Sequence, residues 1–134
     1  MILVDTDVLI AHLRGVEPAR VWLRHAREGG PLAVSVVTIA ELGGGMRTSE
    51  RREVWALVNA LRAEPVSEVV ARRAGELMRQ YRRSHSGIGL ADYLIAATAQ
   101  TLGADLATLN VRHFPMFGGL KAPFRLPDRG DASR

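Results

Sequence analysis

The chain has 134 residues, 47% of them hydrophobic, with 18 basic against 14 acidic residues and a net charge of +4. That length suits one domain with its own core. The absence of cysteine excludes disulfides and thiolate metal sites, so any metal has to be held by oxygen or imidazole. No run is long and apolar enough for a membrane span, and the N-terminus lacks the basic lead and cleavage pattern of a signal peptide. A cytoplasmic location is the expectation.

Residues 1–4 form an unbroken apolar run ending in Asp5, the pattern of a strand buried on both faces. Residues 7–14 carry Val8, Leu9 and Leu13 at helical spacing and break at Gly15. Residues 16–27 read as a second helix with Val21, Trp22 and Ala26 on one side, stopped by Gly29-Gly30-Pro31. Residues 32–37 are apolar and rich in β-branched side chains, a second strand. Thr38 is expected to open a helix that weakens at Gly43-Gly44-Gly45. Residues 50–63 place Val54, Leu57, Val58 and Leu61 on one helical face.

Pro65-Val66 marks a short edge strand or turn, and Ser67 caps a helix reaching about Ser84. A loop follows over 86–89, then a helix over 90–102 closed by Gly103, then a strand over 105–109. Phe124 to Leu126 adds a candidate last strand. Residues 1–127 read as one domain, and 128–134 as a polar, flexible tail. Strands alternating with helices give an α/β class with a central, mainly parallel sheet of about five strands flanked by helices.

In such open sheets, ligands bind at the carboxyl ends of the strands. Asp5 ends the first strand and Asn110 the 105–109 strand. Glu41 is expected in the first turn after the second strand, and Asp92 in the first turn of the 90–102 helix. Four oxygen-bearing side chains remote in sequence thus fall at one end of one sheet, with Asp7 placed to join them. Clustered carboxylates repel each other unless a cation lies among them. Mg²⁺ takes hard oxygen ligands, keeps several waters and binds phosphate oxygens. Held this way it activates water and offsets charge on a phosphodiester, the chemistry of a phosphodiester hydrolase.

Each residue also has a local structural use. Asp5 suits an N-cap. Thr38-Ile39-Ala40-Glu41 matches a capping box. Asp92 in a first turn gains from the helix dipole, and Asn110 suits a turn. The coincidence of all four at one rim is what favours a site.

The segments 2–10 (ILVDTDVLI), 35–42 (SVVTIAEL), 91–99 (ADYLIAATA) and 106–114 (LATLNVRHF) together resemble the VapC family of PIN-domain toxins. The likeness runs from residue 1 to about 127. It implies a PIN-like fold and endonucleolytic cleavage of RNA dependent on Mg²⁺, with Mn²⁺ as a substitute. It implies that Asp5, Glu41 and Asp92 are the acidic positions of the active site and hold the metal. The family's fourth position is often Asp and here is Asn110, which brings an oxygen but no charge. Asp7 is expected to restore part of that charge.

The same resemblance implies a VapB-type antitoxin partner, a type II toxin–antitoxin role and a homodimer. Trp22, Trp55 and Met116-Phe117 are candidates for exposed apolar surface, and core packing explains the tryptophans at least as well. Arg14, Arg112 and His113 are candidates for holding RNA, with Arg82, Arg83 and His85 nearby in sequence. The alternatives are a non-catalytic PIN-like module that binds RNA or protein, favoured by Asn110, and a PIN nuclease of RNA processing. Asp5, Glu41 and Asp92 together argue against the first, and the small size against the second.

Overall fold

A computed structural model describes residues 1–128 of the chain. Four short strands form one sheet: β1 (Ile2–Val4), β2 (Leu32–Ser35), β3 (Arg62–Glu64) and β4 (Asp105–Ala107). Their order is β3-β2-β1-β4, and every pairing is parallel. Leu3 pairs with Ala33 on one side and Leu106 on the other. The unbroken apolar runs of β1 and β2 follow from this, because both central strands are covered on both faces.

Six helices supply the cover: α1 (Thr6–Leu13), α2 (Glu17–Glu28), α3 (Val36–Gly45), α4 (Arg51–Asn59), α5 (Glu68–Tyr81) and α6 (Leu90–Leu102). Two cores result. One gathers Leu3, Ala33, Leu77, Tyr93, Ile95 and Phe114, where α5 and α6 pack on the sheet. The other gathers Val4, Val8, Leu9, Leu23, Val34, Leu42 and Val54 beneath α1 to α4. Among the described residues no helix is long and apolar enough to cross a membrane.

The sheet has four strands where about five were expected. Phe124 to Leu126 is not a strand. Pro123 and Pro127 flank it and supply no N–H to a ladder. Phe124 instead packs its ring against Trp22, with centroids 6.5 Å apart. The edge strand lies at Arg62–Glu64, just before Pro65-Val66, and shortens the helix expected over 50–63. A 3-10 turn at Thr48–Glu50 precedes α4. The 105–109 strand ends at Ala107. The tail expected over 128–134 lies, except for Asp128, outside the described residues.

The second strand also ends early. Ser35, not Thr38, caps α3, its hydroxyl accepting from Val37 N–H at 3.0 Å. Thr38 is fully buried inside the helix, so no capping box joins it to Glu41. The helix runs on through Gly43-Gly44-Gly45. A side chain at Gly43 would sit 3.1 Å from the Trp55 ring, so this glycine lets α4 close on α3. Gly103 ends α6 in the left-handed region (φ 64°), sending its N–H to Gln100 O and that of Ala104 to Ala99 O. Trp22, Trp55, Met116 and Phe117 are partly buried against the two cores. They do not form a free apolar surface.

Candidate active site

Because the sheet is wholly parallel, all four strands deliver their carboxyl ends to one rim. The chain moves outward from β1 through β2 to β3, then returns to the opposite side of β1 with β4. The carboxyl ends of β1 and β4 are therefore the switch point of the sheet, the place where open parallel sheets bind ligands. Asp5 and Thr108 are the first residues past the two strands. The Asp5 N–H bonds Ala107 O at 2.9 Å, which fixes Asp5 against the neighbouring chain segment.

Asp5 is buried. It is the N-cap of α1, and its Oδ1 accepts from Thr6 N–H at 2.8 Å. Its Oδ2 accepts from the Thr108 hydroxyl at 2.7 Å. The capping role and a site role therefore coexist in one side chain. Asp7, two residues further on, points at the same loop. Its Oδ2 accepts from Leu109 N–H at 3.0 Å and lies 3.4 Å from Thr108 Oγ1. Its Oδ1 is buried with no hydrogen-bond partner among the described residues. Thr108 is thus the post between the two carboxylates, and its oxygen also accepts from Asn110 N–H at 3.0 Å.

Burial pushes the Asp5 carboxyl from 3.8 up to about 7, and the negative charge of Asp7 adds to the effect. The bonds from Thr108 and Thr6 pull the other way, and Asp92 contributes a smaller upward push. Burial raises Asp7 as well. Two carboxylates share a desolvated site, with no cationic side chain among the described residues acting on either.

The other acids stand on opposite flanks. Glu41 lies in the second turn of α3, not its first, because the helix begins at Val36. It is exposed, and its Oε1 accepts from Thr6 Oγ1 at 2.7 Å. Thr6 Oγ1 also lies 3.0 Å from the buried Thr38 hydroxyl. One proton cannot serve both, so Thr6 donates to the carboxylate and accepts from Thr38. Asp92 lies in the first turn of α6, as expected, and accepts from Gly89 N–H at 3.3 Å. The same oxygen meets His113 Nδ1 at 3.0 Å.

The convergence is looser than the sequence suggests. Among the described residues no three acidic or imidazole side chains gather closely enough to ring an ion as they stand. Asp5 and Asp7 form the centre, Glu41 is tied off by Thr6, and Asp92 is turned towards His113. Asn110 is exposed and contributes only its backbone N–H to the core of the site. The fit to a hard divalent cation is nonetheless good, since the buried free oxygen of Asp7 and the shared negative charge both call for one.

Arg14 and Glu41 line one cavity, together with Ile10, Leu13, Leu42 and Met46. Arg112 and His113 line another beside Asn110. Thr6 and Thr108, whose hydroxyls hold Glu41, Asp5 and Asp7, do not stand out as site residues in the sequence. The only available signal was position: Thr6 between two aspartates, and Thr108 two residues before Asn110.

Residues 2–116 match the model of the PIN domain. The chain is 68% identical over 127 residues to Ribonuclease VapC10 of Mycobacterium tuberculosis, covering 95% of this chain and 96% of that one. It is 46% identical over 125 residues to Ribonuclease VapC19 of the same organism, covering 92% and 100% respectively. A toxin–antitoxin complex from Klebsiella pneumoniae contains a chain of the same fold, with a TM-score of 0.77 at 26% identity over 94% of this chain and 100% of that one. A buried aspartate pair at the switch point of a parallel sheet, and likeness of this extent, lead to one assignment: the chain belongs to the PIN-domain family, in its VapC branch.

Proposed function

We propose that this protein is a divalent-metal-dependent endoribonuclease, acting as the toxin of a type II toxin–antitoxin pair in the cytoplasm. The observation that carries the metal requirement is the Asp5–Asp7 pair, desolvated at the sheet's switch point, with one Asp7 oxygen left without a partner. The names of the two mycobacterial relatives support RNA as the substrate. The Klebsiella complex supports an antitoxin partner. A homodimer belongs to the same proposal.

Asp5 and Asp92 would hold Mg²⁺ or Mn²⁺, with Glu41 and Asp7 adding charge around it and Asn110 available as a neutral oxygen. Such an ion, when bound, acidifies water and offsets charge on a phosphodiester. The chain's own residues prepare the site for that. Thr108 sets the spacing of Asp5 and Asp7 through one hydroxyl. Thr6 holds Glu41 at the rim, backed by Thr38. His113 holds Asp92 from behind. Burial keeps water from screening the central charges, so a cation gains more there than at an open surface.

The test is induced expression and purification of the wild type, Asp5→Asn and Asp92→Asn, with cellular RNA as substrate. Cleavage should require Mg²⁺ or Mn²⁺, stop in chelator, and be lost in both variants while their circular dichroism is unchanged. Full activity in chelator, or in either variant, would refute the proposal.

A further inference from the structure

A cavity of about 610 Å³, lined in part by His85, Ile88, Asn110, Arg112, His113 and Pro115, opens beside the acidic rim. Among the described residues no acidic side chain lines it, whereas His85, Arg112 and His113 do. Arg112 is the fixed positive charge, is exposed and makes no ion pair among the described residues. His85 is held in place: its Nδ1 lies 2.8 Å from Ser84 Oγ, and its ring sits edge-on to Tyr81 at 5.7 Å. That leaves Nε2 of His85 for a ligand. His113 uses Nδ1 on Asp92 and turns Nε2 towards Gly87. Ile88 and Pro115 add apolar lining to the cavity.

Donors and apolar side chains lining one cavity match a nucleotide of single-stranded RNA, with its phosphate at the donors and its base against Ile88 and Pro115. We infer that this cavity is the subsite for the nucleotide next to the scissile phosphate, with Arg112 and His85 holding that nucleotide's own phosphate. The inference rests on the ribonuclease reading. It adds a substrate position that lies outside the acid set and fixes the direction in which the strand leaves it: past Asn110, away from Glu41. β4 and β2 lie on opposite sides of β1, so the cavity beside Asn110 and the flank that carries Glu41 fall on opposite sides of the central aspartates.

The test compares Arg112→Gln and His85→Gln with Arg79→Gln. Arg79 is exposed near the end of α5 and lines none of the cavities described above. Initial rates on cellular RNA are measured with Mn²⁺ against substrate concentration. Binding of a fluorescein-labelled single-stranded RNA of mixed sequence is measured by anisotropy, each substitution being combined with Asp5→Asn. Arg112→Gln should raise KM about tenfold with little change in kcat, and reduce the salt slope of binding by about one ion. His85→Gln should raise KM by roughly threefold, and Arg79→Gln should change neither quantity.

If the cavity variants behave like Arg79→Gln, or lower kcat at unchanged KM, the subsite is overturned while the ribonuclease reading stands. If the unaltered protein cuts no RNA with Mg²⁺ or Mn²⁺, the ribonuclease reading fails, and the subsite with it.

Discussion

Replacing Asp5 with asparagine should make the metal-free protein more stable above neutral pH, although Asp5 is buried and doubly hydrogen-bonded. The two side chains have nearly the same shape. The oxygen of the introduced amide still accepts from Thr6 N–H, and its nitrogen donates to Thr108 Oγ1. The Thr108 proton then turns to Asp7 Oδ2, 3.4 Å away. What disappears is the charge. The folded protein holds the Asp5 carboxyl at about 7 against 3.8 for the ordinary group, so the folded state binds this proton more tightly than the unfolded one. The stability that protonated Asp5 contributes is complete below about pH 4 and lost as pH rises to 7. The full span is about 4 kcal/mol at 1.36 kcal/mol per unit. Between about pH 5 and pH 8, the stability of Asp5→Asn relative to wild type should therefore rise by about 2–3 kcal/mol. In thermal melts with chelator this amounts to roughly 5–10 °C. Millimolar Mg²⁺ near pH 8 should raise the wild-type melting temperature and leave the variant's nearly unchanged. A variant that is no more stable relative to wild type at about pH 8 than at about pH 5 would overturn the claim that ionised Asp5 is strained without a cation.

Asp7→Asn keeps an oxygen for Leu109 N–H, so it should fold normally but bind Mn²⁺ about tenfold more weakly by titration calorimetry. Unchanged affinity and unchanged metal dependence of cleavage would remove Asp7 from the site. Thr108→Val should destabilise the fold by about 1–3 kcal/mol in denaturant titration, because Asp5 Oδ2 loses its hydroxyl donor and the Asn110 N–H its acceptor at a fully buried position. Gly44→Ala adds a side chain with nothing within 4 Å, whereas Gly43→Ala meets the Trp55 ring at 3.1 Å. The first should stabilise by about 0.5–1 kcal/mol, and the second should gain less or destabilise. Equal effects would show that Trp55 does not constrain Gly43.

The buried strands were legible because a strand covered on both faces is apolar at every position, and Met1 to Val4 and Leu32 to Val34 have that form. The strands ending in polar residues were not bounded as well. Nothing local says that Ser35 rather than Thr38 opens α3, since both can cap. The choice falls to Ser35 because β2 pairs with β3 only as far as Ser35 and Glu64, and beyond that point there is no partner strand to prolong it. A three-residue shift in the helix start then moved Glu41 from the first turn to the second. The fifth strand failed for a comparable reason: Phe124 has an aromatic surface to bury, and Trp22 offered more than a ladder flanked by prolines.

The acids were found individually because each follows a strand or opens a helix, positions that sequence marks well. Their mutual arrangement was not, because it rests on hydroxyls. Thr6 and Thr108 look like neighbours of aspartates in sequence, yet between them they touch Asp5, Asp7 and Glu41. A hydroxyl gives one proton and adds no charge: Thr108 donates to Asp5 Oδ2 at 2.7 Å while standing 3.4 Å from Asp7 Oδ2, and Thr6 donates to Glu41, whereas an arginine or lysine in either place would bring a positive charge. A cationic bridge would neutralise the site and leave no room for a metal ion to gain from it. Uncharged contacts keep the carboxylates close without cancelling their repulsion, and the proton affinity of Asp5, raised first by burial and then by the charge of Asp7, contains that repulsion as its second cause. The use of threonine at both positions is therefore part of the same physical requirement as the aspartates. Thr6→Arg or Thr108→Lys at equal folding would abolish the need for a cation, and with it the site's claim on one.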